Sequence, residues 1–135
     1  MKVSFQGERG AYSEQAALKF FGEYAEVIPC ETFSDLFDRV SDGTANFGVA
    51  PVENSTAGTI VQVYDLLLEH DIHVVGEIKF RVVHCLISFP GTKLEEIKKI
   101  YTHPQAWAQC QAFCRQFPSW EYVPSYDTAG SVKII

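Results

Sequence analysis

The sequence predicts an α/β fold in two lobes, on three observations. Short apolar runs of strand type alternate with helix-period patterns through the first half, the way parallel βαβ units read. The texture changes at Ile72, where strand-like runs follow one another with no helix between them. The composition is 47% hydrophobic and 13% aromatic over 135 residues, enough for one compact core or two small lobes sharing a hinge. A first lobe is expected over residues 1–75 and a second over residues 76–135.

Val3-Ser4-Phe5 reads as the opening strand. Ser13 to Phe21 carries a helical pattern that Gly22 stops, with Ser13 as the natural N-cap. Ala25 to Cys30 is a second strand. Phe33, Leu36, Phe37 and Val40 then repeat at helical spacing as far as Asp42-Gly43. Phe47 to Ala50 is a third strand, short and apolar enough to be buried on both faces. Pro51 has no N–H for a ladder, so the chain must leave the sheet there. Ile60, Val61, Tyr64, Leu67 and Leu68 mark the next helix. Alternation of this kind predicts parallel strands joined by right-handed crossovers.

In the second lobe Ile72 to Phe80 and Val82 to Ser88 read as two strands, followed by a turn at Phe89-Pro90-Gly91-Thr92. Leu94 to Ile100 is a short helix leading into a brief strand. A longer helix opens with Pro104 in the favoured first-turn position and carries Trp107, Cys110, Cys114 and Phe117 on its core face. Trp120 to Pro124 is another strand. Thr128 begins a last helix, which runs to Ile135 with no C-cap, so the second lobe reads as incomplete. No internal repeat or low-complexity tract is present.

The net charge of −6, without a Lys/Arg cluster to offset it, excludes bulk attraction for nucleic acid. An anionic ligand therefore needs local positive potential from helix N-termini or single basic residues. No segment approaches membrane-spanning length, and the first residues hold no apolar core of signal-peptide length. The four cysteines, Cys30, Cys85, Cys110 and Cys114, show no metal-site spacing. Cys110 and Cys114, one helical turn apart, read as buried thiols and not ligands, which fits a reducing cytoplasm.

Four segments could carry chemistry. Pro51 to Gly58 sets Glu53, Asn54, Ser55 and Thr56 side by side at a strand end, ahead of a helix N-terminus where an anion is favoured. An ordinary capped connection explains Ser55 or Thr56, but a cap does not need the neighbouring acid and amide. Gly7 to Gln15 is glycine-rich and brings Ala11 and Ser13 to the first helix. It is a backbone-approach loop or a plain βα turn, and it lacks the dinucleotide fingerprint. Tyr101 to Cys110 places Thr102 and His103 before a helix, with Gln105 and Gln109 one turn apart on one face. That face suits a hydrogen-bonding pocket wall or plain solvent, and His103 suits a cap as well as an acid–base role. Ser125 to Ala129 forms a third strand-to-helix junction. His70, His73 and His84 show no triad or metal pattern and are assigned no chemistry.

Together these motifs resemble those of the prephenate dehydratase family. The family carries a glycine-rich opening like Gly7 to Ser13 and a central motif like Pro51-Val52-Glu53-Asn54-Ser55-Thr56-Ala57-Gly58. It also carries a His-Pro-Gln segment ending in Gln-Cys, matched by His103-Pro104-Gln105 to Gln109-Cys110, and a junction like Tyr126-Asp127-Thr128-Ala129. The motifs stand in the family's order and span the chain. The resemblance implies a two-lobed α/β fold like that of the type 2 periplasmic binding proteins, with the active site between the lobes. It implies decarboxylating dehydration of prephenate to phenylpyruvate in phenylalanine biosynthesis, with no metal or organic cofactor. By position, Glu53, Asn54, Thr102 and Gln109 match catalytic or substrate-binding residues. Ala11, Ser13, Ser55, Thr56, His103, Thr128 and Ala129 are further expected substrate contacts.

Two family features are missing from these residues: the Thr-Arg-Phe motif beyond the His-Pro-Gln segment, and the regulatory ACT domain after it. The expectation is a truncated catalytic domain that turns over little prephenate alone. Arogenate dehydratase shares the same core motifs and is the nearest alternative. A non-catalytic module that binds a small carboxylate is the alternative from another class, since fold alone does not separate the two. No nucleic-acid or membrane partner is expected, and the residues leave open whether the chain forms a homo-oligomer.

Overall fold

Strand β1 (Lys2–Gln6) organises the first of two units, Met1–Arg81 and Val82–Ile135, in a computed structural model that describes residues 1–56 and 58–135. It lies between β2 (Glu26–Cys30) and β3 (Phe47–Val49), and both pairings are parallel. Period-two alternation sends Val3 and Phe5 to one face and Ser4 to the other. Val3 and Phe5 are fully buried and cluster with Ala17 of α1 (Tyr12–Phe21) and with Val27. Removing such side chains from water is worth roughly 1.5–3 kcal/mol each. On the opposite face Ser4 Oγ lies 3.3 Å from the carbonyls of Leu36 and Phe47, to which it can donate. There α2 (Phe33–Ser41) packs Leu36 and Phe37 against Cys30 and against Val63 and Leu66 of α3 (Val61–Glu69).

Local chemistry sets most of these boundaries. Helix α2 opens on a reciprocal capping box: Thr32 Oγ1 accepts the Asp35 N–H at 3.1 Å, and an Asp35 carboxylate oxygen accepts the Thr32 N–H at 3.0 Å. Gly22 ends α1 with a φ of 95°, a conformation that favours glycine. Pro29 is tolerated because β2 is an edge strand. The third strand departs from expectation. It is the other edge of a three-stranded sheet, so Phe47 and Val49 are only half-buried.

The larger departure is at residues 72–88. Neither Ile72–Phe80 nor Val82–Ser88 joins a ladder among the described residues. A strand needs a neighbour to receive its backbone groups; here the Ile72 N–H donates to the His70 carbonyl at 2.9 Å, and side-chain packing holds the run beyond it. The ring of Phe20 covers Gly76, and Phe80 packs beside Tyr12 with ring centroids 6.1 Å apart. Val74, Val75, Val83 and Ile87 are left exposed.

The second unit is a βαβ element. Parallel strands β6 (Lys99–Thr102) and β7 (Glu121–Pro124) are joined through α4 (Pro104–Cys114), with Lys99 opposite Glu121. A single 3₁₀ turn, Leu94–Glu96, stands where a short helix was expected. On α4 the buried positions are Ala106 and Cys114, while Trp107 and Cys110 are half-buried; Phe117, expected on the same helix, is half-buried beyond its end at Cys114. Trp107 stacks on Tyr122 with centroids 4.7 Å apart, and Phe117 stacks on Trp120 at 4.2 Å. The last helix, α5 (Gly130–Ile134), starts two residues later than Thr128, with Ala129 at its N-cap position and Asp127 Oδ1 accepting the Gly130 N–H. No helix of the described residues is long and apolar enough to cross a membrane.

Candidate functional site

In the first unit the central motif folds as a small hairpin. Chain leaving β3 passes Pro51 and forms β4 (Glu53–Asn54), which pairs antiparallel with β5 (Gly58–Thr59). Asn54 Oδ1 accepts the Thr56 N–H at 2.9 Å, closing an Asx-type turn, and Gly58 takes a φ of 80°. Asn54 is half-buried, whereas Glu53, Ser55 and Thr56 are exposed. Ala57, part of the same motif, lies outside the described residues.

This hairpin corrects the expected helix-cap geometry. Neither Ser55 nor Thr56 caps α3; Ile60 occupies its N-cap position with no side-chain hydrogen bond. The polar residues close a turn instead of meeting a helix N-terminus, so the motif presents its acid and amide from a hairpin strand. Adjacent in β4, the two side chains point to opposite faces of that strand.

The glycine-rich loop differs in a similar way. Ala11, not Ser13, holds the N-cap position of α1, and it makes no side-chain cap bond. Glu14 supplies the capping charge. Its Oε2 accepts the Gly10 N–H at 2.5 Å and its Oε1 accepts from Arg9 Nη1 at 3.2 Å, with the side chain buried in the first turn. A longer acidic side chain reaches back to the loop where a serine hydroxyl does not, and its charge meets the positive end of the helix. Ser13 remains half-buried in that first turn.

In the second unit Thr102 ends β6 and His103 caps α4. His103 Nδ1 accepts the Gln105 N–H at 3.2 Å, so the neutral ring carries its proton on Nε2, and Pro104 fills the first helical position. Thr102, His103 and Gln109 are half-buried, but Gln105 is exposed. The two glutamines therefore do not share one environment. Gln109 Oε1 receives a 2.8 Å hydrogen bond from Nε2 of His84. At the last junction Asp127 Oδ1 accepts the Gly130 N–H at 2.8 Å, Ser131 Oγ donates to the Asp127 carbonyl at 2.7 Å, and Ser125 Oγ lies 2.5 Å from Ser131 Oγ. Thr128 and Ala129 are half-buried beside this cap.

Each unit, taken by itself, offers amide or hydroxyl donors of the kind that hold an oxyanion: Asn54 in the first, Thr102 and Gln109 in the second. Burial pushes the thiols of Cys30, Cys110 and Cys114 up, which keeps them protonated and poorly nucleophilic. Among the described residues no group of three His, Cys, Asp or Glu side chains could hold a metal ion. Three polar partners escaped the sequence reading. Glu14 and Asp127 carry recognisable capping signals, an acid in the first turn and an acid three residues before the helix start. His84 carries none, because its partner is distant in sequence.

The family model of prephenate dehydratase matches residues 3–135. The chain is similar to arogenate dehydratase/prephenate dehydratase 2, chloroplastic, of Arabidopsis thaliana, being 45% identical over 135 residues, which are 100% of this chain and 35% of that protein. It is similar in structure to the prephenate dehydratase of Arthrobacter aurescens in complex with L-Phe, with a TM-score of 0.78 and 29% identity over 98% of this chain and 45% of that one. A TM-score of 0.89 and 35% identity, over 100% of this chain and 49% of the other, relate it to GqqA, described as a novel type of quorum quenching acylase. The chain spans about a third of the length of the curated relatives it matches.

Proposed function

We propose, on the premise that this chain belongs to the prephenate dehydratase family, that it acts in the conversion of prephenate to phenylpyruvate, carbon dioxide and water, a carbon–oxygen lyase step of phenylalanine biosynthesis. The observation that carries this reading is the family match over residues 3–135, which takes in all four motif segments. In the reaction the bond from the ring to its carboxylate breaks and the electron pair enters the ring. The carbon–oxygen bond to the ring hydroxyl breaks as one proton is delivered, and water leaves. Aromatisation drives the step, so the protein needs chiefly to position a dianion and assist the leaving oxygen.

In this reading Asn54, Thr102 and Gln109 donate N–H or O–H groups to substrate oxygens, and Glu53 orients a neighbouring group. Ala11, Ser13, Ser55, Thr56, His103, Thr128 and Ala129 are further substrate contacts. The family resemblance gives the main donor role to the threonine of a Thr-Arg-Phe segment, which these 135 residues do not contain. A reducing, cytoplasmic setting is part of the same reading, supported by four unpaired cysteines.

The name of the Arabidopsis relative, which covers both substrates, favours arogenate as the second reading. The test is to supply the protein carrying these residues with prephenate, with arogenate and with an N-acyl amide. Phenylpyruvate formed from prephenate, lost on Asn54→Ala and on Gln109→Ala, is the expected result. Phenylalanine from arogenate alone would move the assignment to that substrate, and acyl cleavage with neither dehydration would overturn both.

A further inference from the structure

We propose that His84 is a positioning residue for Gln109, locking its carboxamide so that the NH₂ group is presented to an acceptor oxygen of the substrate. The inference deepens the dehydratase reading and rests on it. His84 lies in the run at residues 82–88 and Gln109 at the middle of α4, both within the second unit. They are 25 positions apart, and the contact of 2.8 Å is part-buried.

Which atom donates follows from the chemistry of the pair. The Oε1 of a glutamine has lone pairs and no hydrogen, so the His84 Nε2 must carry the proton, in the neutral or the charged ring. A carboxamide is planar, with its oxygen and nitrogen on opposite sides of the terminal carbon. Once Oε1 is held by His84, the place of Gln109 Nε2 is fixed, and its N–H anti to Oε1 points away from the imidazole. No described residue accepts from that nitrogen, and the side chain is half-buried. An NH₂ group held in place and without a protein acceptor is suited to a carboxylate, keto or hydroxyl oxygen.

Without the imidazole the amide is free to turn about its last torsion and set Oε1 against the same substrate oxygen, which is repulsive. Gln105, one turn earlier on α4, shows the contrast: it is exposed, and among the described residues no hydrogen bond fixes its side chain. Orientation of this kind, supplied by a residue that does not touch the substrate, is worth tens of fold in rate when lost.

The test uses the complete enzyme that carries these residues, with kcat and KM for prephenate measured for His84→Ala, His84→Gln, Gln109→Ala and the double variant. His84→Ala is expected to lower kcat/KM about 10-fold or more with the thermal midpoint retained. His84→Gln, whose own amide N–H can reach Gln109 Oε1, is expected to restore most of the loss. The double variant should be no slower than Gln109→Ala alone, because His84 acts only through that amide. Multiplying losses, or a His84→Ala enzyme within twofold of the parent, would overturn the proposal while leaving the dehydratase reading intact. If the parent turns over no prephenate, the dehydratase reading fails instead. The positioning claim is then decided by nuclear magnetic resonance of the 135-residue chain. A Gln109 side-chain NH₂ whose heteronuclear NOE is as high as that of the rigid backbone in the parent and falls in His84→Ala supports it; equal values in both refute it.

Discussion

The carboxylate of Asp38 on α2 meets the Nε2 of His70, just past the end of α3, at 3.2 Å, while Nδ1 of the same ring lies 3.0 Å from the Leu66 carbonyl. Both ring nitrogens thus face acceptors, and only the imidazolium can donate to both. The hydrogen bond to Asp38, then that to Leu66, holds the His70 pKa above its ordinary value of about 6.5. A raised folded-state pKa contributes stability that is fully present below the unfolded value and is lost as pH rises through the folded one.

Urea unfolding of the parent and of Asp38→Asn, compared from pH 5.5 to pH 8.5, is therefore expected to show a gap that is widest on the acid side and narrows with rising pH. A gap that grows toward alkaline pH would contradict this pairing.

Gly48 of β3 is expected to be irreplaceable for packing reasons. A Cβ there would lie 2.7 Å from Leu36 Cδ2 and 3.2 Å from Val40 Cγ2, both on the helix that covers this face of the sheet. Overpacking of this kind costs about 1–3 kcal/mol, so Gly48→Ala should lower the urea midpoint accordingly. Leu36→Val added to Gly48→Ala should recover part of the loss even though Leu36→Val alone is destabilising. Additive losses in that pair would show that the two side chains do not meet.

The phenolic oxygen of Tyr122 is buried with no hydrogen-bond partner among the described residues, and its ring stacks on Trp107. Burying an unsatisfied hydroxyl costs roughly 1–3 kcal/mol. Tyr122→Phe keeps the stack and removes that group, so equilibrium unfolding should find it as stable as the parent or up to about 1 kcal/mol more stable. A clear loss of stability would mean the hydroxyl has a partner.

Two substitutions at Asn54 separate its turn-closing role from the donor role proposed for it. Asn54→Ala removes both the acceptor for the Thr56 N–H and the amide donor; Asn54→Asp keeps the acceptor and replaces the NH₂ by an oxygen. Both should lower kcat/KM for prephenate roughly 100-fold, the size expected for loss of one donor to an oxyanion. Only the alanine variant should also loosen the hairpin, read as faster hydrogen exchange at Thr56.

Much of this was legible along the chain. Strand β1, helix α1, strand β2, helix α2 and strand β3 follow from apolar periodicity and from Gly22, Asp42-Gly43 and Pro51, all of which act on the backbone within a few residues of where they stand. The opening of α4 at Pro104 follows in the same way. The residues 72–88 show where such reading stops. Their alternating apolar pattern is that of strands, yet a ladder is a relation between two segments, and nothing within one segment names its neighbour.

The candidate site divides along the same line. The sequence by itself determined which polar groups are available and in what order, Glu53 with Asn54 and Thr102 ahead of Gln109, because residue type and local spacing are written in it. Only the tertiary structure decided that Asn54 stands in a hairpin and not at a helix cap, that Glu14 displaces Ser13 at the head of α1, and that His84 holds Gln109. Each of those outcomes is a competition among hydrogen-bond partners for the same backbone or amide group. The winner is set by reach and direction in space, and for His84 and Gln109 that space is closed by a fold across 25 residues of intervening chain.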